Sequence, residues 1–534
     1  MNCSIKNFSF AQTNAFSKLM LDYTSNSKDL QTFIQYPNSI DVIPQIIEDK
    51  NKENIDRKVL VEVLENQYQS LEQMKLVAEN IRLLENENTF CIVTAHQLNI
   101  FGGPLYYIYK IAQTISTCNQ LKVKYPEYNF VPIYWMGSED HDFEEINHTY
   151  LYNKKIEWND EQGGISGFYK TNSLQPILEE LEILISNQTY GNELMTIFRN
   201  AYSQDNLASA TRTWLHQVFG NYGLVIIDGN NVVFKQQCIE IIKDDLLNHT
   251  AFDLVQDTIV KIEELGYKHQ AKPRAINLFY IEKNKRNRIE FDEQEQKYFV
   301  VNSDKSFTKE EILKELEKSP EFFSPNVILR PLFQQKVLPS IMYIGGGGEV
   351  AYWLQLKSVF QNYKVNFPQL IVRNSALLCN NNSMKRLEKF NLSIDDMFQS
   401  VDELKKDFID KDNSISIIQE RQSLEQTFAA IQEKIKAIDA SLVNYVGAEA
   451  QKTFKSMENI EARINKSLKQ KNEIHLNQIE KLKNQLFPNN SLQERVENFS
   501  SYYAEFGKDF INELINSFDV YQKQFLVIEL DKKL

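Results

Sequence analysis

No stretch of the 534-residue chain is apolar for long enough to span a bilayer. The opening residues, MNCSIKNFSF, lack the apolar run of a secretory signal. The five cysteines (Cys3, Cys91, Cys118, Cys238 and Cys379) are scattered, odd in number and nowhere spaced as CxxC. That argues against a zinc ribbon or a disulfide framework and predicts reduced thiols in the cytoplasm. Positive charge is also short. There are 59 Lys and Arg against 72 Asp and Glu, a net charge of −13. A general nucleic-acid binder would show the opposite balance. What the chain does have is 42% hydrophobic and 25% charged residues, a soluble globular balance, over a length sufficient for more than one domain.

The chain is organised around VPIYWMGSEDHDFEEINH, Val131 to His148. Val131 to Trp135 predict a buried strand. Gly137 then opens onto Glu139, Asp140, His141, Asp142, Glu144, Glu145 and His148. In an open α/β sheet, ligands bind beyond the carboxyl ends of the strands. Carboxylates and imidazoles this close shift one another's proton affinity, which suits acid–base work or metal binding. Glu144 and Glu145 alone read as the solvated first turn of a helix. Glu139, Asp140, His141 and Asp142, directly after the strand, are the catalytic candidates, and His148 is a binding candidate.

Upstream, TFCIVTAHQLNIFGGPLYYIYKIAQTI (Thr89 to Ile115) reads as strand, loop and helix. Gly102 and Gly103 allow unusual backbone angles and Pro104 fits a first helical position, so the turn is a candidate anion site. Its spacing is neither GxGxxG nor a P-loop, so the signal is weak alone. His96 and Gln97 lie in the loop as ligand candidates. The segment before the next strand is long enough for a helical crossover, which makes the two strands parallel and sets both loops on one sheet edge. His96, Gly102, Asp140 and His141 are thus expected to face one cleft.

A third unit, Ser324 to Lys357, places a strand from Ser340, then Gly345, Gly346, Gly347 and Gly348, then a helix from Glu349. Four successive glycines carry a high conformational-entropy cost, which points to close backbone approach by a ligand or to strained turns. Glu349 either caps that helix or holds a substrate ammonium or hydroxyl. Tyr352, in the same helix, joins the binding candidates. Arg330 is a candidate clamp for carboxylate or phosphate, since guanidinium grips both bidentately.

Residues 1 to about 88 read as helical. Stretches at about 150–210 and 263–320 read as insertions, the second holding two strands around a charged turn at Lys283 to Arg288, mostly a solvated face. From about Ser383 glycine and proline almost vanish, and Ile431, Ile435, Ile438, Leu442 and Tyr445 begin a heptad series. A second series starts at Met457, with a slip near Leu468. This predicts a long antiparallel helical hairpin, reversing near Gly447, that pairs with another copy as a homodimer. The expected organisation is a core over 1–382, a coiled coil over 383–488 and a segment over 489–534 returning to the core.

TAHQLNIFGGPLYYIYK, VPIYWMGSEDHDFEEINH, the Ser324–Lys357 block and SLQERVENFSSYYAEFGKDFINELI together resemble the cysteine-adding enzymes of bacillithiol biosynthesis, the cysteine ligases of that pathway. The resemblance runs from about Thr94 to near the C-terminus. It implies a Rossmann-like, parallel-sheet α/β core related to nucleotidyl transferases, with inserted connecting segments and a C-terminal α-helical antiparallel coiled coil that dimerises. It also implies joining the cysteine carboxylate to the amine of glucosaminyl malate. A free carboxylate needs activation for this, and ATP with Mg²⁺ is the expected means. In that reading the glycine loops hold phosphates or carboxylates. Asp140 and Asp142 bind Mg²⁺ or orient the cysteine ammonium. His141 is general base or steadies the leaving group, and Arg330 holds a malate carboxylate. The alternatives are a metal-dependent hydrolase or transferase built on Asp140, His141, Asp142 and His148, and a coiled-coil scaffold that binds a nucleotide or sugar.

Overall fold

The computed structural model describes residues 2–283, 285–411 and 417–531. They form two compact units: Met1–Cys379 together with Ser491–Leu534, and Asn380–Asn490.

The larger unit is built on a five-stranded sheet of β1 (Thr89–His96), β2 (Asn129–Met136), β3 (Val225–Asp228), β4 (Ser340–Gly345) and β5 (Gln369–Val372). Every neighbouring pair is parallel. The strands are buried on both faces, which is why they read as unbroken apolar runs. Successive side chains enter opposite layers: Cys91, Val93 and Ala95 pack in one cluster, Phe90 and Ile92 in another. The strand order is β3-β2-β1-β4-β5. The chain leaves β1 towards β2 on one side and returns to β4 on the other. A sheet wound this way opens a crevice between β1 and β4, beyond their carboxyl ends. Helix α1 (Leu105–Lys124) makes the crossover from β1 to β2, α2 (Arg330–Val337) precedes β4, and α3 (Gly347–Trp353) follows it.

An antiparallel sheet holds strands Leu278–Glu282, Lys285–Asp292, Lys297–Val300, Ser306–Phe307 and Phe323–Pro325. The stretch from Lys285 to Arg288, expected to lie in a turn, is strand. A third sheet pairs Asn2–Ser9 antiparallel with Gln524–Asp531 over its whole length. The first residues are therefore a strand and not helix. Their ladder partners lie at the far end of the chain, and that pairing overrides the local pattern.

In the smaller unit α4 (Ile418–Lys436) runs against α5 (Ser441–Lys471). Arg421 faces Glu458 at 3.8 Å, the Phe428 and Phe454 rings lie 5.9 Å apart, and Gln432 meets the Val443 carbonyl at 3.4 Å, an antiparallel register. The reversal falls at 437–440, ahead of Gly447. Gly447 lies inside α5, where a Cβ would come 3.2 Å from Gln432 Nε2.

Candidate active site

A cleft of about 630 Å³ lies at the switch point of the parallel sheet. The sequence-predicted residues that line it come from three loops. They are His96 and Gln97 after β1, Glu139, Asp140 and His141 after β2, and Gly346, Gly347, Gly348 and Glu349 after β4, with Arg330 and Tyr352 from α2 and α3. The sheet order does this, because the strand ends it brings to one edge are those three.

Two of these groups are tied from loop to loop. Gln97 Nε2 donates to the carboxylates of both Asp140 and Glu145, joining the β1 and β2 loops. Asp140 also accepts from the His141 backbone N–H at 2.7 Å. Glu349 accepts from the Tyr343 hydroxyl at 2.6 Å, the Lys110 ammonium at 2.6 Å and the Gly346 N–H at 2.8 Å. Burial alone would raise the Glu349 carboxyl, but Lys110 and these donors outweigh it and hold the group below its ordinary value. Of its two predicted roles, Glu349 has the first: it is a charged helix cap.

The two cleft imidazoles, His96 and His141, are both pushed towards the neutral form. His96 packs between the rings of Tyr106 (5.4 Å) and Tyr107 (4.9 Å), and burial, then Lys110, pushes it down to about 3. His141 is lowered by burial and by Arg286, against the opposing pull of Asp140 and Asp142. Glu139 is engaged by Lys235 at 2.6 Å, a pair almost wholly buried on the lysine side.

Four arginines reach the cleft, and one of them is neutralised. Arg373, at the end of β5, pairs with buried Glu494 at 2.7 Å. Arg330 donates to Gln334 (3.0 Å) and the Tyr352 hydroxyl (3.3 Å) and forms no ion pair among the described residues. Arg286, from the antiparallel sheet, likewise contacts only neutral groups, and Arg495 stands exposed at the rim. Three arginines without an ion pair stand against one cleft carboxylate without a cationic partner, Asp140, so among the described residues the lining carries net positive charge. Arg286, Arg373 and Arg495 were not singled out from sequence. Arg373 and Arg495 arrive from segments remote in the chain. Arg286 carried one readable signal: strand alternation places it and Arg288 on one face with Ile281 and Phe279.

Several predicted residues are not brought together. Asp142 caps the short helix Phe143–Ile146, accepting from the Glu145 N–H at 3.3 Å, and does not line the cleft. His148 lies beyond that helix, 3.0 Å from Asn147 Oδ1. It lines a more open hollow with Glu144, Lys155 and Asp160, and a side pocket with Asn99 and Tyr150. The proposed cluster of Asp140, His141, Asp142 and His148 is therefore dispersed. Among the described residues no group of three or more His, Cys, Asp or Glu could hold a metal ion, and with Asp142 turned to its helix cap the structure does not bring Asp140 and Asp142 together in the cleft.

Gly102 and Gly103 are no anion cradle. Phe101 N–H donates to Tyr202, Gly102 N–H to the Asn99 carbonyl, Gly103 N–H to Ile100, and Leu105 N–H to Glu497, while Pro104 has none to give. With these amides engaged, Phe101, Gly102, Gly103 and Leu105 have no backbone donor left for a phosphate. Both glycines have positive φ (+78° and +54°), and a Cβ on Gly103 would stand 2.8 Å from Asn99 Cβ. Gly345 ends β4 and is buried against Tyr343 and Glu349. At Gly346 and Gly348, by contrast, a Cβ would meet only ordinary contacts, with Glu349 at 3.5 Å and Gln270 at 3.9 Å.

The N-terminal Rossmann-like domain of the bacillithiol biosynthesis BshC family matches residues 3–374, and that family's C-terminal coiled-coil domain matches residues 376–530. A relative from Flavobacterium johnsoniae is 42% identical over 527 residues, covering 98% of this chain and 99% of its own. One from Flavobacterium psychrophilum is 42% identical, covering 98% of each chain. One from Christiangramia forsetii is 40% identical, covering 98% of this chain and 99% of its own. All three bear the name "Putative cysteine ligase BshC". With both domains matched in order and relatives aligned nearly end to end, the chain belongs to the BshC family of bacillithiol biosynthesis.

Proposed function

We propose that this chain is a carbon–nitrogen ligase that joins the carboxylate of cysteine to the amine of glucosaminyl malate, driven by ATP. The observation that carries the reading is the net positive charge that Arg286, Arg330 and Arg495 give, beyond Asp140, to a cleft at the switch point of a Rossmann-like sheet. Both the malate carboxylates and nucleotide phosphates are anions that guanidinium binds well. Arg330 is the group for a malate carboxylate. Gly348 offers backbone without a side chain to phosphate or carboxylate oxygens, whereas the Gly346 N–H is already taken by Glu349. The cysteine carboxylate is first activated by phosphoryl or adenylyl transfer. The amine then attacks the acyl carbon, the new C–N bond forms, and phosphate or AMP leaves. Mg²⁺ would be held chiefly by the nucleotide's phosphates and water, with Asp140 the carboxylate in the cleft available to it.

Exposed Ile438, Tyr445 and Ile460 on the helical hairpin support a homodimer formed through it. No helix among the described residues is long and apolar enough to cross a membrane, and the reading places the enzyme in the cytoplasm.

The test is incubation of purified protein with glucosaminyl malate, cysteine, ATP and Mg²⁺, with mass spectrometry for the thiol product. Product with ADP supports an acyl phosphate, and product with AMP an acyl adenylate. No product from a folded protein that binds the sugar overturns the reading of the isolated chain as a ligase.

A further inference from the structure

Arg286 reaches the cleft from the antiparallel sheet, and its contacts there are directional. Its Nε–H donates to Ser324 Oγ at 3.0 Å and its Nη2 to the Pro325 carbonyl at 2.9 Å. The guanidinium lies over the Phe279 ring, 3.9 Å from its centre. That leaves Nη1, which stands 3.0 Å from Nδ1 of His141.

A guanidinium has five N–H donors and no acceptor, so in this contact Nδ1 is the acceptor. An imidazole that accepts at Nδ1 carries its proton on Nε2. Asp140 and Asp142 pull the other way, but the carboxylate oxygen in ion-pair range, Asp140 Oδ1, is 3.7 Å from Nδ1, beyond hydrogen-bond reach. We infer that Arg286 is a positioning residue that locks His141 in the Nε2–H form, so that His141 meets a ligand as a hydrogen-bond donor and not as a base.

His141 lines the cleft, and its Nε2 has no hydrogen-bond partner among the described residues. A neutral N–H donor held from behind suits an oxygen on which negative charge develops. In the ligation proposed above, on which this part rests, that oxygen is the acyl oxygen as the amine adds. The C–N bond forms, the C–O bond to phosphate or AMP breaks, and the amine's proton leaves on the departing oxygen. His141 ends the step as it began. The tautomer itself does not depend on the ligase reading.

Solid-state ¹⁵N NMR of histidine-labelled protein reads the tautomer directly, with His141→Gln identifying the signal among the seven histidines. The expected spectrum has a pyridine-type Nδ1 and a pyrrole-type Nε2 for His141. A protonated Nδ1, or a mixture of forms, overturns the lock. In Arg286→Leu the two forms should mix, and an unchanged signal would show that Arg286 does not set it. The wild-type spectrum decides even if that variant fails to fold. For the role in turnover, a glutamine can donate from its amide but can never act as a base. His141→Gln should therefore keep kcat/KM within about tenfold of wild type, while His141→Ala loses about a hundredfold, the scale of one oxyanion donor. Equal losses would refute the donor role with the ligase reading intact. Absence of turnover in the wild type would sink the ligase reading and leave the NMR result standing.

Discussion

At the end of β1 the backbone turns through Gly102 and Gly103 into α1; at the end of β4 it turns through Gly345 to Gly348 into α3. By sequence both are strand, glycines and helix. In the first, the glycines face inward. Both lie at positive φ, the space a Cβ would take is filled by Trp214 and Asn99, and the amides of both glycines are bonded within the protein. In the second, Gly345 and Gly347 are crowded by Tyr343, Glu349 and Met20, but Gly346 and Gly348 line the cleft at ordinary φ with room for a Cβ. A run of glycines reports that the backbone needs room. What occupies that room tells whether the need belongs to packing or to a ligand.

The comparison breaks most sharply at Gly103. Its φ of 54° and ψ of −143° belong to a region open in practice only to glycine, and a methyl there meets Asn99. Gly103→Ala should cost about 3 kcal/mol or more from strain plus overpacking. The midpoint of urea unfolding measures it. A loss below about 1 kcal/mol would mean the turn adapts, and the inward role of the β1 glycines would fail.

The central strands were legible because burial on both faces leaves a continuous apolar signature, as in Phe90 to Ala95 and Ile341 to Ile344. The loops that follow β1, β2 and β4 were legible for the same reason, since strand ends locate them. What periodicity could not supply was which way each loop residue turns. Asp142 is only two residues beyond Asp140, yet it caps a helix while Asp140 faces the cleft. Arg286 reads as one more charge in a polar hairpin until the tertiary fold sets that hairpin against the cleft. The strand at Asn2–Ser9 depends on Gln524–Asp531, a pairing that no local window contains.

Arg330 carries the next largest effect. It forms no ion pair among the described residues, so removing it should leave little unsatisfied in the free protein. Arg330→Ala should raise KM for glucosaminyl malate about a hundredfold, roughly the 2–3 kcal/mol of a lost charge-assisted contact, with the melting temperature nearly unchanged. Lysine should restore little, because a point charge does not replace the planar fork. A KM that stays at the wild-type value would move the anion site towards Arg286 and Arg495.

His96 tests the inner wall of the β1 unit through pH. Its folded pKa is pushed down to about 3, against an ordinary value near 6.5. Below pH 6.5 the unfolded chain takes up a proton that the folded ring refuses. The contribution is therefore fully present above 6.5 and is lost as pH falls towards 3. At pH 5 the loss is about 2 kcal/mol. Glu497 and Asp245, both raised by burial to about 7, act with the opposite sign over part of this range. The effect is therefore read as a difference: stability at pH 7.5 minus stability at pH 5 should be about 2 kcal/mol larger in wild type than in His96→Gln. Equal differences would mean that the buried ring titrates freely.

Gly348 gives the smallest change in stability and the cleanest contrast with Gly103. It sits in the first turn of α3 at ordinary φ, with Gln270 as the nearest neighbour of a built Cβ at 3.9 Å. Alanine is a better helix former than glycine, so Gly348→Ala should leave stability unchanged or raise it by up to about 0.5 kcal/mol. The added methyl projects where a ligand would approach the backbone, and kcat/KM should fall about tenfold, the scale of one displaced polar contact. Unfolding and turnover measured on the same preparation then separate the two kinds of glycine. Gly103→Ala should fail in the first measurement, and Gly348→Ala only in the second. If Gly348→Ala turns over like wild type, the open side of the β4 loop does not contact the reacting molecules, and the anion site must be carried by the arginines alone.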